Sequence, residues 1–82
     1  MSLFLDMHRV NGATAEAVAE LHKKDLETQG RYGVNIRNYW LDEGKGAVFC
    51  LIDAPDEETA IRVHREAHGV VADEIFEVSE NT

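Results

Sequence analysis

The chain has 82 residues, enough for one small domain near the lower end of what a single hydrophobic core stabilises. Its 16 acidic and 8 basic residues give a net charge of −8, which disfavours binding to nucleic acid or to an anionic membrane surface. No run of about 18 apolar residues is present, and the single cysteine cannot form an internal disulfide. We therefore expect one domain over residues 1–82, in a reducing cytoplasm, without nucleic-acid or membrane partners.

The first half of the chain predicts a strand, a helix and a second strand. Residues 3–10 (LFLDMHRV) alternate between two side-chain sets, as in a strand. Thr14 is the expected N-cap of a helix with apolar residues at helical spacing, and Gly30 is expected to close it. Residues 33–42 are rich in β-branched and aromatic residues and predict the second strand.

The second half predicts a strand, a helix and a final strand. The EGKG turn leads into residues 47–53, which are apolar on both faces and therefore predict a central strand. A second helix is expected to begin at the N-cap Asp56 and to end before Gly69. Residues 73–78 (DEIFEV) form the last predicted strand.

The order β-α-β-β-α-β predicts an α+β, ferredoxin-like fold. Its four-stranded antiparallel sheet has both helices on one face, with the strand order 4-1-3-2. The other face is bare in a monomer, and we expect Phe4 and one apolar set of the third strand to lie on it. Because an exposed apolar face of that size indicates a partner surface, a homodimer packed sheet to sheet is predicted.

The segment HREAHG places two histidines near the end of the second helix. His64 and His68 stand at i and i+4, so they share one helix face with Cβ atoms roughly 5–6 Å apart and could chelate one metal ion. Glu66 points to another face of the same helix. Two other interpretations stay open: histidines near a helix C-terminus complement the macrodipole, and they also pack as half-buried residues.

The topology gathers further ligand-type side chains at the same end of the molecule. They are His8, Asp42, Glu43 and Asp73. His8 or these carboxylates, some of them from the other subunit, would complete the His64–His68 site. Alternatively, His8 shares its strand face with Phe4, away from the helices, and would serve a separate site at the dimer surface. We expect the ligands to be surface side chains with outward-facing imidazoles.

Several other residues each have a candidate functional role and an ordinary structural explanation. His22 and Asp25, at i and i+3 on the first helix, form either a secondary metal site or a solvated helix face. Cys50, in mid-strand, is expected to be buried packing rather than a nucleophile. Tyr39 and Trp40 fall on opposite strand faces, so one is expected in the core and the other at an interface or pocket.

The donor types narrow the choice of metal. Imidazole with carboxylate and water suits Ni²⁺, Zn²⁺, Co²⁺ or Cu²⁺, whereas a single cysteine excludes thiolate-rich sites. The sequence has no HExxH, so a metalloprotease is excluded. Because a histidine must be neutral to bind an ion, affinity is expected to fall as the pH drops through about 6.5.

Residues 39–78 resemble the DUF4242 family of small proteins. The matching features are Trp40 with Asp42 and Glu43, the FCL of the third strand, the AP before the second helix, and HREAHG. A looser likeness runs through GATAEAVAELHKKDL and so extends over nearly the whole chain. The resemblance implies a ferredoxin-like fold, a homodimer and divalent-metal binding with nickel as the leading candidate. It supplies neither a ligand set nor an enzymatic activity.

Two functions from different classes follow. The first is a protein that buffers or sequesters a divalent transition metal on histidine and carboxylate ligands of a homodimer, without catalysis. The alternative is a small dimeric α/β-barrel-type enzyme, a monooxygenase or isomerase. Its pocket between sheet and helices would be lined by Trp40, Cys50 and His64, with His64 as general base. A closed apolar cavity of ligand size would favour the enzyme.

Overall fold

The computed structural model describes residues 1–81, and Thr82, the last residue of the predicted domain, lies outside the described residues. The predicted element order is confirmed. The strands are β1 (Ser2–Arg9), β2 (Asn35–Asp42), β3 (Ala47–Ala54) and β4 (Glu74–Val78), and the helices are α1 (Ala15–Gln29) and α2 (Glu57–Ala67).

The four strands form one antiparallel sheet in the order β2-β3-β1-β4, which is the predicted order read from the other edge. The two central strands, β1 and β3, therefore supply the middle of both sheet faces. A bulge between Ile36 and Asn38 adds one residue to β2. Because of it, Tyr39 lies on the same face as Ile36, and Trp40 faces the opposite side.

Both helices begin at the predicted caps. Thr14 Oγ1 accepts a hydrogen bond from the Ala17 N–H at 3.1 Å, and Asp56 Oδ1 accepts one from the Thr59 N–H at 2.8 Å.

The predicted end of α1 is confirmed, since Gln29 is its last residue and Gly30 its C-cap. Gly30 keeps right-handed helical angles and opens a short 3₁₀ turn, Gly30–Tyr32. The left-handed residue that ends the helical path is Gly33, with φ of 66°. The second helix ends as expected, since Gly69 adopts φ of 81° and donates its N–H to the His64 carbonyl at 3.0 Å.

The core lies between the helices and the inner face of the sheet. Phe4 is only 3 % exposed and packs there with Ile36, Ile52, Val18 and Val63. The expectation that Phe4 would face water is therefore wrong. Alternation determines which residues share a face of β1, but both sets are largely apolar, so it did not determine which face the helices cover.

The outer face of the sheet is bare in the single chain, as predicted, but it carries the other side-chain set. On it Leu5 pairs with Leu51 and Phe76, and Trp40 pairs with Phe49. Trp40 is 49 % exposed and Phe76 50 % exposed. The separation of Tyr39 and Trp40 onto opposite faces is confirmed. Among the described residues, no helix is both long and apolar enough to cross a bilayer.

Candidate metal centre

Four elements bring ionisable side chains to the inner side of the sheet. Asp6 and His8 alternate with Met7 on β1, so both point toward the helices. Cys50 lies directly opposite Asp6 in the β1–β3 register. Because α2 buries Ala60, Val63 and His64 at helical spacing, His64 is directed into the core rather than outward, and it is 1 % exposed.

Histidine and aspartate alternate along one buried chain of contacts. The Nε2 atoms of His8 and His64 each lie 3.0 Å from Asp6 Oδ2. On its other side, His64 Nδ1 lies 2.9 Å from Asp25 Oδ1, and His68 Nε2 lies 3.0 Å from that same oxygen. The order is therefore His8, Asp6, His64, Asp25, His68, with every side chain almost fully buried.

The ligand atoms of Asp6, His8, Cys50 and His64 lie within 4.8 Å of one another, and we call these four residues the inner cluster. The Cys50 N–H donates to Asp6 Oδ1 at 3.2 Å, which anchors the carboxylate and leaves Oδ2 turned toward the rings. Asp6 Oδ2, His8 Nε2 and His64 Nε2 are close together, but their directions give no aligned hydrogen bond. Three buried polar atoms thus converge at ion-pair distance without forming an aligned hydrogen bond.

The carboxylates and the rings shift one another's pKa values strongly. Burial acts to raise the pKa of Asp6, but His64 and His8 outweigh it and lower that pKa to about 2. Burial acts to lower the pKa of both rings, yet Asp25 and Asp6 raise that of His64 to about 12, and Asp6 raises that of His8 to about 9. Without an ion, the inner cluster therefore holds protons near neutral pH.

A small cavity of about 20 Å³ lies beside the inner cluster, between the sheet and α1. His8, Cys50 and His64 form part of its wall, together with Asp25, His68 and several aliphatic side chains. His22 and Tyr39 also line it, with their rings 4.5 Å apart. The volume is close to that needed for a single water molecule.

The predicted residues are placed differently from expectation in several respects. His64 and His68 lie on one helix face and near each other, with ring centroids 5.3 Å apart, but both side chains are buried rather than on the surface. His8 faces the helices rather than the dimer surface, and its ring lies 4.8 Å from that of His64. The prediction that His8 faces away from the helices was wrong because the side-chain set of β1 that contains Phe4, Asp6 and His8 faces the helices.

The acidic residues predicted at the same end of the molecule lie outside the inner cluster, and each accepts a hydrogen bond from a backbone N–H group. Asp42 accepts the Lys45 N–H in the β2–β3 turn at 3.0 Å, and Glu43 accepts the Ala15 N–H at the start of α1 at 2.9 Å. Asp73 accepts the Arg9 N–H at 2.7 Å.

The expected secondary site on α1 does not form as an exposed pair. Asp25 is 3 % exposed and joins the His64–His68 contacts, whereas His22 is half-buried against Tyr39. Sequence reasoning missed Asp6, whereas the expectation that Cys50 is buried is confirmed. A charged residue in the middle of a largely apolar strand was the available signal for Asp6, because a buried carboxylate needs partners.

The fold and the inner cluster together define a small α+β protein with a candidate site for a metal ion. Residues 4–78 match the family model described as nickel responsive protein SCO4226-like, so the chain belongs to that family. The crystal structure of SCO4226 from Streptomyces coelicolor A3(2) is similar, with 34 % identity and a TM-score of 0.92. The match includes 99 % of this chain and 100 % of that chain. No curated protein matches significantly, and the DUF4242 designation stays a prediction.

Proposed function

We propose that the protein binds one divalent transition-metal ion at the inner cluster and buffers or sequesters that ion. The observation that carries the proposal is the convergence of Asp6 Oδ2, His8 Nε2 and His64 Nε2, all buried and all without an aligned hydrogen bond. Buried polar atoms normally form aligned hydrogen bonds, so a group of three that contact one another without such bonds suits the binding of a ligand between them.

The spacing of these atoms suits a first-row metal ion. Two donors at right angles around an ion, each about 2.1 Å from it, lie about 3 Å apart. The contacts from Asp6 Oδ2 to the two ring nitrogens are both 3.0 Å. The side chains would therefore need only small movements to admit an ion.

The donor set favours a borderline metal. One carboxylate, two imidazoles and one thiol suit Ni²⁺, Zn²⁺, Co²⁺ or Cu²⁺, whereas Mg²⁺ and Ca²⁺ prefer oxygen alone. A single cysteine excludes an all-thiolate site but supplies one sulfur here. Nickel is the leading candidate because the family is described as nickel responsive.

The size of the cavity favours ion binding over the enzyme alternative. Pockets for organic ligands measure roughly 300–1,000 Å³, whereas the cavity beside His64 measures about 20 Å³. Trp40, which the enzyme alternative placed in the pocket, is on the outer face of the sheet instead. The space beside the cluster fits a water molecule or an ion and not an organic substrate.

We further propose a homodimer in the cytoplasm. The outer face presents Trp40 and Phe76, each about half exposed, over the half-buried side chains of Leu5, Phe49 and Leu51. A second copy of this face would cover that surface by symmetric packing. A reducing compartment would keep Cys50, which is a free thiol, available as a ligand.

Calorimetric titration of tag-free protein with Ni²⁺ tests the proposal. We expect about one ion per chain, with binding lost in His8→Ala and in Asp6→Asn. The control variant Asp42→Asn/Glu43→Gln changes two acidic residues outside the inner cluster and should bind as the wild type does. Equal binding by His8→Ala and the wild type would overturn the assignment.

A further inference from the structure

We propose that Asp25 and His68 are positioning residues that hold His64 in the tautomer an ion requires. The inference rests on the proposed function, since it concerns how His64 presents Nε2 to the inner cluster. Neither residue is assigned as a ligand. Both act through a chain of polar contacts on the side of His64 that faces away from Asp6.

The first bond of the chain fixes the proton on His64. Its Nδ1 lies 2.9 Å from Asp25 Oδ1 in an aligned hydrogen bond, and Asp25 is 3 % exposed. Because an ionised carboxylate can only accept, His64 Nδ1 must carry the hydrogen. When an ion displaces the proton from the other nitrogen, the free lone pair is therefore on Nε2, beside Asp6 and His8.

The second part of the chain fixes the proton on His68. The backbone N–H of Val70 donates to His68 Nδ1 at 3.0 Å. A nitrogen that accepts a hydrogen bond carries a lone pair, so the hydrogen of the neutral ring sits on Nε2. That nitrogen lies 3.0 Å from Asp25 Oδ1, the same oxygen that accepts the hydrogen bond from His64 Nδ1, so both histidines contact one carboxylate oxygen.

The same geometry argues against a second ion among Asp25, His64 and His68, although their ligand atoms are also close together. To bind an ion through Nε2, His68 would have to move its hydrogen to Nδ1. The Val70 N–H already points at Nδ1, so two donors would then face each other. His68, predicted as a ligand, is therefore assigned to hold Asp25 in place.

His8 provides an internal contrast. Its Nδ1 is buried and has no hydrogen-bond partner among the described residues, whereas His64 Nδ1 is fixed by Asp25. Of the two candidate imidazole ligands, only His64 has a carboxylate behind it. Loss of that support is expected to weaken binding without removing any ligand.

The test compares Ni²⁺ affinity in Asp25→Asn, His68→Leu and His68→Gln with the wild type and with Asp42→Asn. Removing an outer partner of a metal-bound histidine typically costs 10–100-fold in affinity. We expect a loss in that range for Asp25→Asn, because asparagine can turn its amide nitrogen toward His64 Nδ1 and favour the opposite tautomer. His68→Leu should also weaken binding. His68→Gln, which keeps an N–H donor toward Asp25, should recover part of the loss.

A second readout separates positioning from general damage to the fold. In Zn²⁺-loaded protein, ¹⁵N spectra of the imidazoles should show a hydrogen on His64 Nδ1 in the wild type and a shifted or mixed tautomer in Asp25→Asn. Unchanged affinity and tautomer in both Asp25→Asn and His68→Leu would overturn the positioning role while leaving ion binding intact. Absence of any ion on the wild type would instead refute the proposed function.

Discussion

The two faces of the sheet reverse the usual arrangement, in which ionisable side chains are exposed and aromatic side chains are buried. The inner face carries an aliphatic core, yet it also buries two carboxylates and three imidazoles in one connected network. The outer face, which meets water in the single chain, carries Trp40 and Phe76 half exposed. Buried charge is costly unless it is paired, and exposed aromatic area is unfavourable unless a partner covers it.

The comparison shows that each face is complete only with something added. Inside, protons can balance the buried aspartates in the absence of an ion, and a divalent cation could take the place of those protons. Outside, a second chain can cover the aromatic side chains. If the two faces act independently, a change on one face should leave the other unaffected.

The ion-free protein should lose stability steeply as the pH rises above neutrality. His8 and His64 have folded pKa values of about 9 and about 12, against 6.5 for the ordinary group. Their stabilising contributions are full below the unfolded pKa and decline above it. Between the unfolded pKa and about 9 we expect a loss on the order of 5 kcal/mol. Urea unfolding across this range, with a chelator present, measures it.

Asp6 sets the acidic limit of the pH range in which the ion-free protein is most stable. Its pKa is lowered from 3.8 to about 2, so its contribution is present above 3.8 and is lost as the pH falls through 2. Stability of the ion-free protein should therefore be greatest between about 4 and 6.5. A flat stability profile from neutral to alkaline pH would contradict the buried network.

Replacing His64 by leucine should destabilise the ion-free protein at pH 6 by about 3–5 kcal/mol. The substitution removes the ring that joins Asp6 to Asp25 and leaves both buried carboxylates less well compensated. Denaturant midpoints with matched slopes measure the change. His22→Leu is the control, because His22 lines the same cavity outside the network, and it should change stability by less than about 1 kcal/mol.

Adding Ni²⁺ at about 100 times its dissociation constant should stabilise the wild type by about 3 kcal/mol. The increase should vanish in His8→Ala and return to the ion-free value after chelation. Thermal unfolding with and without the ion checks it. A similar increase in His8→Ala would place the ion elsewhere on this acidic protein.

Trp40→Lys should have the smallest effect on ion binding at the inner face and the clearest effect on assembly of the dimer. The new charge lies opposite Phe49 on the outer face, so we expect the dimer dissociation constant to rise at least about 10-fold. Ni²⁺ affinity should change less than about 2-fold, because the sheet separates the two faces. Sedimentation equilibrium and titration of the same preparation compare the two. Coupled loss of both would show that the site needs the dimer.

The fold was predictable from sequence because its elements are short and clearly capped, as at Thr14 and Asp56. The pairing of His64 with His68 on one helix face was also predictable from spacing. Which side-chain set of β1 faces the helices was not predictable, since Leu5 and Phe4 make both faces of that strand apolar. That single ambiguity placed His8 on the wrong side. Asp6 was then missed as a member of the cluster, and the position of Cys50 opposite Asp6 depends on the register of β1 with β3, which spacing along the chain does not reveal.

Titration of the tag-free protein with Co²⁺, followed by absorption, tests the central claim most directly. Binding at the inner cluster predicts about one ion per chain, visible d–d bands, and a near-ultraviolet thiolate-to-metal band. Cys50→Ser should lose the ultraviolet band, and His8→Ala should lose the saturable binding. Absence of stoichiometric binding by the wild type, or identical spectra for the wild type and Cys50→Ser, would contradict an ion held by Asp6, His8, Cys50 and His64.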